Sequence, residues 1–117
     1  MTERRKYTRV APARLEPVEM QIMGHDFLDV VHAMDISEGG AKIKIPHLFK
    51  GCDIQAPVDL IVKLPAAPAF RARGIIRHID GGVEQACFGV EFGKLAPADK
   101  ERLHSYVQER IALGSIV

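Results

Sequence analysis

The 117-residue chain has the length of one ordinary domain, and with 47% hydrophobic and 26% charged residues it is expected to fold as a soluble globule. No run of about 18 apolar residues occurs and the N-terminus is charged, so neither a transmembrane helix nor a signal peptide is expected, and a cytoplasmic location is predicted. The net charge of +1 is uneven, because residues 1–14 carry five cationic side chains and one acidic one, on a mildly acidic body. That distribution argues against general nucleic-acid binding and favours a compact anion held by the basic segment.

Residues 1–14 have no sustained hydrophobic period and are predicted to form a flexible basic arm, ahead of one domain over residues 15–117. Apolar residues then alternate with polar ones in six segments, which predicts strands over residues 18–22, 28–36, 41–45, 58–64, 70–78 and 86–92. Glycine-containing turns are expected at residues 24–26, 37–40 and 80–82, and a longer loop at residues 46–57.

Two of these strands have faces that bear on the later argument. In the second, the face expected to be apolar consists of Leu28, Val30, His32, Met34 and Ile36. In the fifth, the inward series is expected to run from Phe70 to His78. It is opposed by Arg71, Arg73 and Arg77, which are interpreted first as solvated charges and second as a basic surface facing a ligand or partner.

The period changes near Pro97, where apolar residues begin to recur at steps of three and four. This spacing predicts an amphipathic helix over about residues 97–113, with Pro97 in its first turn and Gly114 as a stop. The expected fold class is therefore all-β with one C-terminal helix, as a small antiparallel barrel or a strongly bent sheet of six strands.

Two short segments carry candidate binding residues. In the arm, Arg5 and Arg9 have the spacing RxxxR and Arg4 precedes them; guanidinium groups match phosphate oxygens and guanine edges. The second segment is the turn Asp35-Ile36-Ser37-Glu38-Gly39-Gly40, where Asp and Ser supply polar groups and the glycines allow a flat ligand near the backbone. Taken separately, each segment also fits a bland alternative, a solvated basic tail and a Ser-stabilised hairpin turn.

Together, the RxxxR of Arg5 and Arg9 and the DxSxxG of Asp35, Ser37 and Gly40 resemble the PilZ domain family of bacterial cyclic di-GMP receptors. The alternating strands, the segment Phe88-Gly89-Val90-Glu91-Phe92 and the final helix are similar to that family as well, so the resemblance covers essentially the whole chain. It implies a six-stranded antiparallel split barrel of PilZ type, in a single-domain, stand-alone member.

The resemblance also implies a ligand and roles for the residues. Cyclic di-GMP would bind between the arm and the turn at Arg4, Arg5, Arg9, Asp35, Ser37, Gly39 and Gly40. The arginines would take guanine edges and phosphates, and Asp35 would pair with a guanine N1/N2 edge. In proteins that the chain resembles, an Arg directly before RxxxR accompanies two intercalated ligand molecules, so Arg4 predicts a two-ligand site.

We therefore expect a second-messenger receptor that acts in trans on a separate effector protein, with no cofactor, no nucleic-acid partner and no membrane insertion. A PilZ-like adaptor that does not depend on the nucleotide is the alternative. An enzyme is not expected, because the five histidines are scattered along the chain and never pair at metal-ligand spacing.

Overall fold

The computed structural model describes residues 7–24, 28–45, 53–81 and 86–117. Within these ranges, six strands and one helix follow one another: β1 (Glu19–Met23), β2 (Leu28–Ser37), β3 (Gly40–Ile45), β4 (Pro57–Lys63), β5 (Phe70–Gly81), β6 (Ala86–Phe92) and α1 (Pro97–Ala112). All paired strands are antiparallel, and the order β1-β2-β3-β6-β5-β4 closes on itself, because β4 also pairs with β1. The predicted six-stranded barrel with one C-terminal helix is confirmed.

The barrel interior is filled by alternate residues from every strand, as period-two burial requires. Phe88 and Met20 are the largest fully buried side chains of the described residues, and they pack with branched aliphatic residues that include Ile22, Ile43 and Leu60. The faces predicted for β1, β3, β4 and β6 are the buried faces, so in these strands local alternation was sufficient to identify the core side.

The predicted apolar face of β2 is wrong over most of the strand. Val31 and Ala33 point into the core, whereas Leu28, Val30 and Met34 are exposed. The pairing register with β3 shifts between Ala33 and Asp35, so a bulge at this point reverses the alternation and brings Ile36 inward.

A second register shift lies between Ile76 and His78 on β5, opposite β6. It ends the inward series Phe70, Ala72, Gly74 and Ile76, and His78, predicted to continue that series, is exposed. The two bulges therefore redirect the last residues of β2 and β5. Residues 25–26 of the turn predicted at 24–26 and residues 46–52 of the loop predicted at 46–57 lie outside the described residues. Of the hairpin turn predicted at 80–82, Asp80 and Gly81 are the last residues of β5, and Gly82 lies outside the described residues.

Helix α1 begins at Pro97 and ends at Ala112, within one residue of its predicted bounds. Proline suits the first helical position because its missing N–H has no intrahelical acceptor there. Leu103 and Val107 are buried against the barrel, and the chain turns after the helix at Gly114, whose φ of 79° is in the left-handed region. Within the described ranges, no helix is long and apolar enough to cross a membrane.

The residues after α1 return to the start of the chain. Val10 is fully buried and forms antiparallel bridges with Ile36 of β2 on one side and with Ile116 on the other. Two further backbone bonds join the same segments, from Ala11 N to Ser115 O (2.8 Å) and from Val117 N to Arg9 O (3.0 Å). Residues 113–117, called the tail below, thus pair with the part of the arm that leads into the barrel.

Candidate functional site

An open cleft of about 410 Å³ lies on the outer wall of the barrel, where the end of β2 meets β3, β6 and β5. Five of the predicted site residues line it: Arg9, Asp35, Ser37, Gly39 and Gly40. Arg4 and Arg5 precede the first described residue, so their placement lies outside the described part of the chain. The fold brings the described members of both motifs to one site.

Asp35 and Ser37 are the two buried polar side chains of the described residues, with exposed fractions of 6% and 8%. Burying a carboxylate costs free energy unless it is paired, so a position of this kind is usually kept for a specific polar interaction. The bulge at the end of β2 produces the arrangement, because Asp35, Ile36 and Ser37 are all buried there, with the two polar side chains facing the cleft.

The turn after Ser37 is held by that residue's hydroxyl. Ser37 Oγ accepts a hydrogen bond from Gly39 N (3.1 Å) and donates one to Gly40 O (3.4 Å). These local bonds close the turn, so Ser37 does stabilise a hairpin turn, as the alternative interpretation of this segment predicted. Since Ser37 also lines the cleft, the same hydroxyl is placed to meet a ligand.

The two glycines of the turn leave space for different neighbours. A Cβ atom on Gly40 would lie 2.2 Å from the backbone oxygen of Val90 on β6, so a side chain there collides with the barrel wall. A Cβ atom on Gly39 would lie 2.4 Å from Cδ2 of Tyr7, whose ring covers this position. Gly40 therefore permits close strand packing, and Gly39 permits the arm to lie over the turn.

Two cross-strand rows form the cleft wall. One row runs through Ser37, Gly40 and Glu91, and the other through Asp35, Lys42, Gly89 and His78. Gly89 lies between Lys42 and His78 and has no side chain, so the second row does not protrude there. A Cβ atom at this position would be 3.1 Å from His78 Cδ2. The wall is thus polar at its ends and flat in the middle, a shape that admits a planar group.

Nine lining residues were not predicted as site residues, and six of them have polar or charged side chains: Tyr7, Lys42, Arg77, His78, Asp80 and Glu91. Arg77 was interpreted first as a solvated charge, and His78 was expected to continue the inward face of the fifth strand. Periodicity correctly places Lys42 and Arg77 on the solvent-facing side of their strands. The same alternation of polar and apolar residues occurs whether that side is plain surface or the wall of a binding cleft. The order of the strands, which places β5 and β6 beside β3, was needed to find them.

The charged groups of the cleft are mixed in sign. Arg9, Lys42 and Arg77 supply cations, and Asp35, Asp80 and Glu91 supply carboxylates. Cations suit phosphate oxygens and guanine O6 and N7, whereas a carboxylate accepts from N–H groups on a base. No group of three His, Cys, Asp or Glu side chains that could hold a metal ion is found among the described residues.

These observations define a small β-barrel protein with a polar cleft built from a basic arm and a Ser-containing turn. The PilZ domain family model matches residues 3–109, and the chain therefore belongs to the PilZ domain family. No match was found among curated protein sequences.

Solved structures share the fold at low sequence identity. The PilZ domain of YcgR from Escherichia coli, solved with c-di-GMP, is 15% identical with a TM-score of 0.75, covering 96% of this chain and 95% of that one. MrkH of K. pneumonia, solved as a c-di-GMP complex, is 15% identical (TM-score 0.79), and the Bacillus subtilis inhibitor of motility MotI/DgrA is 20% identical (TM-score 0.74). Each match covers 95% of this chain and 53% of the other, so the chain spans about half the length of MrkH and MotI.

Proposed function

We propose that this protein is a receptor for cyclic di-GMP, which binds in the cleft between the arm and the Asp35–Gly40 turn. The observation that carries the proposal is that Arg9 and the buried pair Asp35 and Ser37 line one cleft although they are far apart in sequence. Membership of the PilZ domain family supports this ligand, as do the c-di-GMP complexes of YcgR and MrkH, which share the fold.

In this proposal Arg9 donates to a phosphate or to the O6/N7 edge of a guanine, and Asp35 accepts from the N1/N2 edge of a guanine. Ser37 adds a hydrogen bond at the barrel surface, and Gly39 and Gly40 let the ligand approach the turn. Arg4 and Arg5 complete the site from the arm. The role of Arg4 is to hold a second guanine by stacking or pairing, so that two intercalated ligand molecules are bound.

Calorimetric titration with cyclic di-GMP tests the site. Arg9→Ala and Asp35→Ala are each expected to lower affinity at least tenfold, because a hydrogen bond to a charged group is worth about 1.5–3 kcal/mol. Arg14→Ala and Asp59→Ala are matched controls, since both residues are exposed and neither lines the cleft. Normal binding by Arg9→Ala would contradict the proposed role of that residue, and absence of binding by the wild type would favour the nucleotide-independent adaptor.

The same titration reports stoichiometry. The wild type is expected to bind two ligand molecules per protomer and Arg4→Leu to bind one, because the substitution removes the guanidinium assigned to the second guanine. A ratio of one for the wild type would refute the two-ligand site while leaving the receptor function intact.

Signalling to a separate effector protein is the remaining part of the proposal. Its support is the pairing of Arg9, Val10 and Ala11 with the tail, where Leu113, Ile116 and Val117 expose 65%, 59% and 52% of their surface. A ligand that draws in Arg9 would alter this exposed apolar segment. Hydrogen exchange with and without cyclic di-GMP is expected to change at residues 113–117, and an unchanged tail would count against this route.

A further inference from the structure

Arg77 is the cleft cation with the most restricted side chain among those described. It lies at the β5 bulge, where the register with β6 shifts between Ile76 and His78. Its Nε donates to Glu91 Oε2 across the strand pair at 2.5 Å, and its Nη1 donates to Gln55 Oε1. Two acceptors from separate parts of the chain therefore fix the plane of this guanidinium.

Gln55 is itself held in an uncommon conformation. Its φ of 75° lies in the left-handed region, which costs a non-glycine residue about 1–3 kcal/mol. Its backbone N–H donates to Ile76 O (2.7 Å), next to Arg77 in the chain, so the turn before β4 is attached to the bulge through both backbone and side chain. Hydrogen bonds thus connect the strained Gln55 both to the cleft residue Arg77 and to its neighbour Ile76.

These two bonds leave part of the guanidinium for a ligand. Nε–H and one N–H of Nη1 are used, and the remaining donors are the second N–H of Nη1 and both of Nη2. Adjacent donors on two guanidinium nitrogens match a pair of neighbouring acceptors, such as two phosphate oxygens or O6 and N7 of a guanine. Because the plane is fixed before binding, little side-chain entropy is lost when the contact forms.

We propose that Arg77 is a ligand-contacting residue that binds cyclic di-GMP from the barrel wall, and that Glu91 and Gln55 are its positioning residues. This assignment rests on the proposed function. It adds a preorganised cation on β5 to the cations of the arm, which belong to a separate segment of the chain.

The test compares Arg77→Ala with Arg73→Ala in calorimetric titration. Arg73 lies on the same strand and outward face, is paired with Asp59 at 3.5 Å and does not line the cleft. Arg77→Ala is expected to weaken cyclic di-GMP binding about tenfold or more, and Arg73→Ala less than about twofold. Circular dichroism melting checks that both variants are folded.

Gln55→Gly separates a role of Gln55 in positioning Arg77 from a role in stability alone, because it changes ligand affinity and melting temperature differently. Glycine adopts a φ of 75° without strain, so the folded state is not expected to lose stability from the backbone, while the acceptor for Arg77 Nη1 is lost. We expect weaker ligand binding by about two- to fivefold with an unchanged or higher melting temperature. Unchanged affinity would overturn the positioning role of Gln55.

A cyclic di-GMP analogue with 7-deazaguanine bases identifies the ligand atoms. If Arg77 takes the O6/N7 edge, Arg77→Ala has a smaller effect on the analogue than on cyclic di-GMP; if it takes a phosphate, the two losses are equal. Either result supports the contact. Wild-type affinity of Arg77→Ala for cyclic di-GMP overturns this assignment alone, whereas absence of binding by the wild type overturns the proposed function and the assignment with it.

Discussion

Val10 and Ile36 exchange both backbone hydrogen bonds, at 2.9 Å from Val10 N to Ile36 O and at 3.0 Å from Ile36 N to Val10 O. This pair places Arg9 beside the strand end that carries Asp35 and Ser37, since Ile36 lies between those two residues. Backbone pairing therefore joins the arm to the end of β2. The separation of Arg9 from Asp35 and Ser37 is set by these backbone hydrogen bonds as well as by side-chain contacts.

The first prediction concerns this attachment. Val10→Ala removes two buried methyl groups and is expected to lower the free energy of unfolding by about 2 kcal/mol. Ligand affinity is expected to fall as well, because Arg9 is positioned by the same residue. Urea denaturation measures the stability, and Val117→Ala, at a half-exposed position in the tail, is the control that should change little. A Val10→Ala variant as stable as wild type would show that burial of the Val10 side chain contributes little to this attachment.

A second prediction separates the two glycines of the turn. Gly40→Ala is expected to destabilise the fold by about 1–3 kcal/mol, because its Cβ meets the backbone oxygen of Val90 at 2.2 Å and backbone cannot move aside cheaply. Gly39→Ala is expected to leave stability within about 1 kcal/mol of wild type, because it meets the ring of Tyr7, which is 40% exposed and can rotate. Thermal melting compares them, and equal losses would contradict this difference.

The third prediction concerns a contact between the helix and the turn. His104 Nδ1 on α1 lies 2.9 Å from Glu38 Oε1, inside the Asp35–Gly40 segment. His104 is about half exposed, so the pair is expected to contribute only about 0.2–1 kcal/mol. A double-mutant cycle of His104→Ala and Glu38→Ala measures this coupling, and the same cycle with exposed His32 should give none. A zero coupling for the first pair would show that the contact is not maintained in solution.

The fourth prediction is a pH dependence that originates at Tyr106. Burial raises the pKa of Tyr106 above its ordinary value of 10.0, Arg110 opposes this shift, and Glu109 and Glu16 add to it. The folded protein therefore holds the phenolic proton more tightly than the unfolded chain does. This contribution is fully present below pH 10 and is lost as the pH rises above 10 toward the folded-state pKa.

Tyr106→Phe tests the same residue at neutral pH. The Tyr106 hydroxyl is buried and has no hydrogen-bond partner among the described residues, so its removal is expected to leave stability unchanged or to raise it by about 1 kcal/mol. The variant should also lose less stability than wild type between pH 9 and pH 11, a range set around the ordinary pKa of 10.0. A marked loss of stability in Tyr106→Phe at neutral pH would indicate that the hydroxyl is paired.

Much of the fold was predictable because its strands are amphipathic in a regular way. In β1, β3, β4 and β6 the inward residues are those that alternation selects, and Pro97 and Gly114 bound α1 through conformational preferences that act locally. Part of the cleft was predictable for a different reason. Arg9, Asp35 and Ser37 belong to two short motifs that can be identified directly in the sequence.

The errors arose where local pattern and tertiary pairing disagree. Leu28, Val30 and Met34 look like a core face, but the register with β1 and β3 turns Val31 and Ala33 inward instead. A bulge of one residue reverses every later side chain, and its position depends on the partner strand rather than on the bulged strand itself.

The cationic residues of the arm could be identified from the sequence alone, because a hydrophobic core cannot accommodate such clustered charges. The DxSxxG turn, the six alternating strands and the final helix were legible too, because propensity and periodicity are properties of neighbouring residues. Only the closed strand order brought Arg77, His78 and Glu91 to the cleft, and only the two bulges turned Asp35 toward the cleft and His78 outward. Those placements depend on contacts between residues distant in the chain, which no local pattern encodes.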